Sequence, residues 1–285
     1  MTFILISSTH LEGALWFRDE EDFVVGMNYI AVLSIVTGIN ILAFILMSNH
    51  VHFVLECSLE EAKIFFDKLK RLYGAYYQRK YGKNEPLRRN SADYRELKLS
   101  KESVERAIAY VLMNCVAANI CSTAYGYPWS SAGCIFNLNK PEGKPIGSYS
   151  TRKQWRILKS RTPLPSDFIL GNQGFIIPDS YIQKDFVESL FRTPKRFNFM
   201  MQNSSKAKLR IEKAAAPSFT DQIVLAAASD LCHSFYRKAS LKEINTEEKS
   251  DLIRQIKYRF SAEPAQLSRI FEMPYSEICA IIDSY

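Results

Sequence analysis

Met47-Ser48-Asn49-His50-Val51-His52-Phe53-Val54-Leu55-Glu56 is the stretch that decides how this chain is read. It sets two of the four histidines two residues apart at the head of an apolar run. As a strand over 50–56, period-two alternation puts His50, His52, Val54 and Glu56 on one face. Val51, Phe53 and Leu55 then fill the other face, which suits packing against helices. Two imidazoles side by side on a rigid strand are a ready pair of metal ligands. The plainer alternative is two core or surface histidines that happen to be neighbours.

Working outward, residues 39–47 form a second apolar run, joined to the first by a tight connection at Ser48-Asn49. Residues 2–7 read as a strand. Residues 20–35 read as a helix opened by Asp19-Glu20-Glu21-Asp22, acidic charge that suits a helix N-terminus. Ser58 and Glu61 make a capping box for a helix over 59–81, which Gly82 ends. Residues 94–99 alternate like a short strand, and Ser100 can cap a helix over 101–118. The order β-α-β-β-α-β-α with antiparallel neighbours predicts an α+β, ferredoxin-like sheet.

In the helix over 101–118, Val104, Ile108, Val111, Leu112 and Cys115 form a core stripe at helical spacing. Ser103, Arg106, Tyr110, Asn114 and Ala117 share a different face, one that can look across at the histidine face of the sheet. Asn114, one turn beyond Tyr110, could offer its carbonyl oxygen as a third metal ligand beside His50 and His52. Alternatively, Tyr110 is an interfacial tyrosine and Asn114 its hydrogen-bonded neighbour. A second tyrosine set, Tyr73, Tyr77 and Tyr81 with Tyr76 alongside, lies on the basic helix 59–81. It reads as packing, as stacking surface for unpaired bases, or as a rival source of a nucleophile.

Residues 41–56, with Met-Ser-Asn-His-Val-His between two apolar strands, resemble the His-hydrophobic-His signature of the single-tyrosine HUH transposases. The likeness is strongest to the REP-associated tyrosine transposases and the insertion-sequence-200 type. Tyr110-Val-Leu-Met-Asn114 is similar to that family's catalytic-tyrosine helix, and Pro128-Trp129-Ser130-Ser131 resembles the motif that closes its catalytic domain. The resemblance covers roughly residues 1–136, with the three motifs in the family's order. Cys115 departs from it, since many relatives carry proline there, and a different helix end is expected.

The resemblance implies an HUH nuclease domain in which Tyr110 is the catalytic nucleophile and His50, His52 and Asn114 hold a divalent ion, Mg²⁺ or Mn²⁺. It implies a DNA transposase or domesticated relative that cuts and rejoins single-stranded or hairpin DNA through a 5′-phosphotyrosine. The other class to weigh is a non-catalytic DNA-binding regulatory protein on the same fold. Four intact site residues favour the enzyme.

Charge distribution points to a polyanion as well. The net charge is +7, yet residues 1–135 hold 14 basic and 14 acidic side chains and residues 207–285 hold 11 of each. Residues 136–206, with 12 basic and 5 acidic, carry the whole excess. A second basic concentration runs from Lys68 to Arg89. The DNA-binding candidates are therefore Lys68, Lys70, Arg71, Arg79, Lys80, Arg88, Arg89, Arg106, Arg152, Lys153 and Arg156. Trp155 is a candidate for base stacking.

At 285 residues the chain has room for about two domains. The division expected is a catalytic domain over 1–136, an extended basic connector with a helix over 137–206, and a helical domain over 207–285. Helices are read over 181–201 and 206–213. Residues 263–282 are similar to a helix-turn-helix, although Glu272 stands where the turn often has glycine, and helix 275–284 carries Glu277 and Asp283 with no Lys or Arg. That charge is poor for groove reading and favours packing or partner contact. The six cysteines show no CxxC spacing and read as reduced thiols. With no signal peptide and no membrane-spanning run evident, a cytoplasmic, nucleoid-associated protein without a membrane partner is expected. A homodimer is compatible with the sequence.

Overall fold

The computed structural model describes residues 2–9, 15–82, 85–98, 100–118, 120–139, 142–211, 221–260 and 262–283, with backbone alone at 85–86, 203–211, 258–259 and 283. The readings that touch Lys83, Leu99, Pro141, Lys213, residues 218–220 and residue 284 lie outside these residues. The fold is α+β.

Its first half runs β1 (Phe3–Ser8), α1 (Glu20–Thr37), β2 (Asn40–Leu46), β3 (Val51–Glu56), α2 (Leu59–Tyr81), α3 (Glu85–Arg89), β4 (Ala92–Glu96), α4 (Lys101–Leu112) and α5 (Asn114–Ala117). The four strands form one antiparallel sheet in the order β2-β3-β1-β4. On β3, Phe53 packs against Phe65 of α2 with ring centroids 5.3 Å apart, while His52 meets Tyr110 of α4. The sheet therefore carries α2, with α1 packed beside it, on one face and α4 on the other.

Local chemistry sets the helix ends. Ser58 and Glu61 form the reciprocal capping box at the start of α2, and Gly82 closes it in the left-handed region at φ 70°. Asp19 caps α1 by accepting from the Asp22 amide, and Gly38 ends it at φ 66°. Asp22 is wholly buried; it accepts from the Arg18 amide, the Tyr76 and Tyr81 hydroxyls and the Lys80 ammonium.

β2 is an edge strand, and an open edge is a template for unwanted pairing. Here it is covered. Leu46 donates to the Trp129 carbonyl, the Ser131 hydroxyl and carbonyl-facing amide bracket Phe44, and Tyr127 donates its hydroxyl to Leu46. Further along, Gln183 donates its amide to the Ile41 carbonyl. The Pro128–Ser131 motif thus acts as a seal on the sheet edge beside the histidine strand.

Three sequence readings are corrected. Residues 137–206 are not an extended connector. They fold as β5 (Gly143–Pro145), α6 (Thr151–Leu158), β6 (Ile169–Gly171), α7 (Lys184–Phe191) and α8 (Pro194–Ile211), and their apolar residues, among them Ile146, Leu158, Ile176 and Phe191, enter the main core. Buried Asn28 of α1 fastens this layer, donating to the Ile157 and Gly174 carbonyls and accepting from the Ile176 amide. The helix expected over 181–201 is two helices, because Arg192 turns at φ 63° and Pro194 starts the second. The helix expected over 101–118 breaks at Met113 into α4 and α5.

The last part, α9 (Asp221–Leu231), α10 (Thr246–Phe260), α11 (Pro264–Phe271) and α12 (Tyr275–Asp283), has its own core of Val224, Leu252, Ile256, Leu267 and Ile278. Glu272 occupies the α11–α12 turn at φ 51°, the left-handed position where glycine is favoured. Among the described residues, no helix is long and apolar enough to cross a membrane.

Candidate functional site

His52 lies on β3 opposite Ser7 of β1, and its Nδ1 is 3.0 Å from the Ser7 hydroxyl oxygen. His50 stands one residue before the strand, in the turn closed by the Met47 amide donating to the His50 carbonyl. Its Nδ1 lies 2.7 Å from Asn49 Oδ1. An amide oxygen only accepts, so this contact favours the His50 tautomer protonated at Nδ1. That arrangement matches metal-ligating histidines, whose second nitrogen is fixed by an outer partner. The two imidazole rings meet edge to face at 4.9 Å.

Tyr110 completes the cluster from α4, its ring 5.5 Å from that of His52 at 78°. Asn114 begins α5 one turn later; its Nδ2 donates to the Tyr110 and Val111 carbonyls, so its ligating capacity rests on Oδ1. The site is closed. His50, His52, Tyr110 and Asn114 are only 3%, 2%, 3% and 2% exposed. The sequence assigned Tyr110 to a face apart from the core stripe; in the structure α7 and α8 pack on α4 and bury most of its second half. Arg196 of α8 clasps Glu105 of α4 through Nε at 2.9 Å and a second bond from Nη2.

The two imidazoles lie side by side and the Asn114 amide sits one helical turn beyond Tyr110; together they would make a mixed N/O donor set suited to Mn²⁺ and acceptable to Mg²⁺. No group of three His, Cys, Asp or Glu side chains forms a metal cluster among the described residues.

The loop that carries His50 is held from three directions. The Ser48 carbonyl accepts from the Trp16 and Phe17 amides at 2.8 and 3.0 Å, and Ser8 Oγ accepts from the Val51 amide. The Ser48 hydroxyl donates to the carboxylate of Glu263, at the head of α11. Tyr275 of α12 adds a bond to the Phe17 carbonyl, and Arg269 donates to that of Ile120. Ser7, Ser48 and Glu263 did not emerge from sequence reasoning. Ser7 could be found only by strand register, and Glu263, 215 positions from Ser48, by nothing local.

The rival tyrosines are spent on structure. Tyr73 donates to the Trp16 carbonyl at 2.6 Å, Tyr77 to that of Leu15 at 3.0 Å, and Tyr76 and Tyr81 to Asp22. Burial pushes the Tyr73 hydroxyl well above its ordinary range, with the neighbouring Asp22 charge adding to it.

The basic candidates divide. Lys80 is encircled by Asp19, Glu21 and Asp22, and Lys70 donates to the Asn90 carbonyl, so both serve the fold. Lys68 is half-buried, and Arg106 pairs with Glu102 on the same helix. Arg71, Arg88 and Arg89 are exposed, and Lys153 lies over the Tyr149 ring at 4.4 Å. Arg79 meets Arg152 and Arg156 in one cleft, so two basic segments far apart in sequence converge. Compared with known protein families, curated proteins and solved structures, the chain matches none.

Proposed function

We propose that this chain is a metal-dependent tyrosine DNA endonuclease and strand transferase, a transposase or domesticated relative that acts on single-stranded or hairpin DNA. The observation that carries the reading is the edge-to-face meeting of His50 with His52 and of His52 with Tyr110 in one buried cluster, built from the turn before β3, from β3 and from α4. The strand order β2-β3-β1-β4 with β-α-β-β-α-β connectivity is that of a ferredoxin-like sheet, which supports an HUH nuclease domain. Convergence of Arg79 with Arg152 and Arg156 supports a polyanionic substrate.

In this reading His50, His52 and Asn114 hold Mg²⁺ or Mn²⁺. When bound, the ion supplies Lewis-acid polarisation of the scissile phosphate and neutralises charge in the in-line transition state. Tyr110 supplies the nucleophile: its oxygen attacks phosphorus, a P–O bond to the DNA 3′ oxygen breaks, and a 5′-phosphotyrosine and a free 3′ hydroxyl result. The phosphoester is conserved, so attack by another 3′ hydroxyl rejoins strands without a nucleotide triphosphate. Ser7 and Asn49 fix the two rings, and Ser48 with Glu263 fixes the loop. Because the cluster is closed, substrate entry requires local opening near the 48–50 loop or α8, a gating step common in enzymes. Such a protein acts in the cytoplasm, at the nucleoid.

The test is incubation of the full chain with single-stranded DNA carrying hairpins, with and without Mn²⁺. A metal-dependent covalent protein–DNA species on a denaturing gel is expected. Tight, salt-sensitive DNA binding with no covalent species under any metal would instead favour a non-catalytic regulatory protein.

A further inference from the structure

A cleft of about 660 Å³ opens between the end of α2, the start of α1 and α6. Six cations line it against one carboxylate, Glu21. Lys80 and Lys159 lie 3.2 and 3.3 Å from that carboxylate, and Lys80 also serves Asp19 and Asp22. Arg79, Arg152, Arg156 and Arg161 remain in excess, with no ion pair to a carboxylate among the described residues. Four uncompensated guanidiniums around one cavity attract a polyanion.

Trp155 stands among them with 40% of its surface exposed, and the Arg161 guanidinium lies 5.5 Å over its ring. Phosphate alone has no use for an exposed indole, whereas a nucleobase stacks on one. The cleft is also held open by the fold. Asn28 of α1 donates to the Ile157 carbonyl, Tyr29 donates to the Lys159 carbonyl at 3.3 Å, and Lys159 ends α6 in the left-handed region at φ 48°, turning Arg161 back toward Trp155. A non-glycine residue at positive φ is conformational strain that the surroundings must hold in place.

The position of the cleft is informative. It belongs to the α1–α2 layer, whereas His52 faces Tyr110 of α4 across the other side of the sheet. A nucleotide in the cleft cannot be the one at Tyr110.

We infer that this cleft is a second nucleic-acid site, which holds an unpaired segment of the substrate by stacking a base on Trp155 with its phosphates on Arg79, Arg152 and Arg156. It rests on the DNA reading above and adds a single-strand anchor remote from the chemistry.

The test uses the full chain and oligo(dT), followed by tryptophan fluorescence and by anisotropy of a labelled strand. Trp16 is wholly buried and Trp129 stacks on Phe23 at 4.9 Å, so Trp155 is the exposed reporter. Oligo(dT) should quench it. Trp155→Ala should weaken binding on the order of tenfold, and Trp155→Phe should retain affinity while losing the quench. Arg152→Glu with Arg156→Glu should reduce the slope of log affinity against log salt by about 1.4. Both positions are on the exposed side of α6, so folding should survive. Equal affinity in wild type and variants, equal competition by polyphosphate, or tighter binding of plain duplex would overturn the second site. If wild type forms its adduct while the cleft variants bind normally, only this inference fails. If wild type neither binds nor reacts, the DNA reading fails with it.

Discussion

Arg196→Met should loosen the helix that carries Tyr110. Arg196 makes two charge-assisted bonds to Glu105, a residue 1% exposed on α4. Removing one partner of a buried pair costs about 3–5 kcal/mol, because the remaining charge keeps its desolvation penalty. The Arg196 side chain is 47% exposed, so water reaches that end of the pair. Screening at that end brings the cost of the stranded Glu105 carboxylate to about 2–3 kcal/mol. For a folded unit of roughly 200 residues, at about 2–4 °C per kcal/mol, Tm should drop by about 5–10 °C. Differential scanning fluorimetry or calorimetry reads this directly. Glu105→Gln combined with Arg196→Met should recover at least about half of the loss, since no bare carboxylate is left behind. A Tm change under about 1 °C, or a double variant whose losses simply add, would refute the clasp between α8 and α4.

Ser48→Ala removes the hydroxyl donated to Glu263 and should cost about 1–3 kcal/mol in chemical denaturation; an unchanged midpoint would dissociate the helical part from the histidine loop. Tyr77→Phe loses its bond to the Leu15 carbonyl and should destabilise by about 1 kcal/mol while leaving the DNA adduct intact, which a denaturation curve and a gel together check. His50→Ala with His52→Ala should abolish most of the Mn²⁺ binding heat in calorimetry, and equal heats would remove the metal from the site. Alkylation near neutral pH should label Cys121 well before Cys57. The hydrogen bond from the Cys115 thiol, with Arg269 nearby, lowers the Cys121 thiol, whereas burial and the Glu61 and Glu56 charges push Cys57 up to about 12. Mass mapping that finds Cys57 labelled first would contradict those local fields.

What could be read from the sequence is what short-range chemistry determines. Ser58, Glu61 and Gly82 delimit α2 because caps are encoded within four residues of a helix end. Strand alternation placed His50 and His52 on one face and helical spacing set Tyr110 on a face apart from the core stripe; in the structure the His50 and His52 rings meet, and His52 meets Tyr110, although His50 stands in the turn before β3. Long-range cover was harder to see. The run 23–36 is apolar on every side, the mark of a helix buried all round, and this was the available sign that residues 142–182 pack over α1. Proline, glycine and basic residues in that segment obscured its buried Ile146, Leu158 and Ile176. Lys80 looked like one more cation on a basic helix, yet Asp19, Glu21 and Asp22 from α1 neutralise it. Nothing near Tyr110 announces that α7 and α8 pack on its helix.

The most direct test of the central claim is to locate the covalent bond. Wild-type protein is incubated with hairpin-bearing single-stranded DNA and Mn²⁺, the attached strand is trimmed with nuclease, and the modified peptide is sequenced by mass spectrometry. Tyr110→Phe is run in parallel, since it removes one oxygen and keeps the ring. The expected result is a nucleotide remnant on Tyr110 in wild type and no adduct in Tyr110→Phe, with DNA binding retained. A remnant on Tyr77 or another residue, or an adduct that survives Tyr110→Phe, would contradict the assignment.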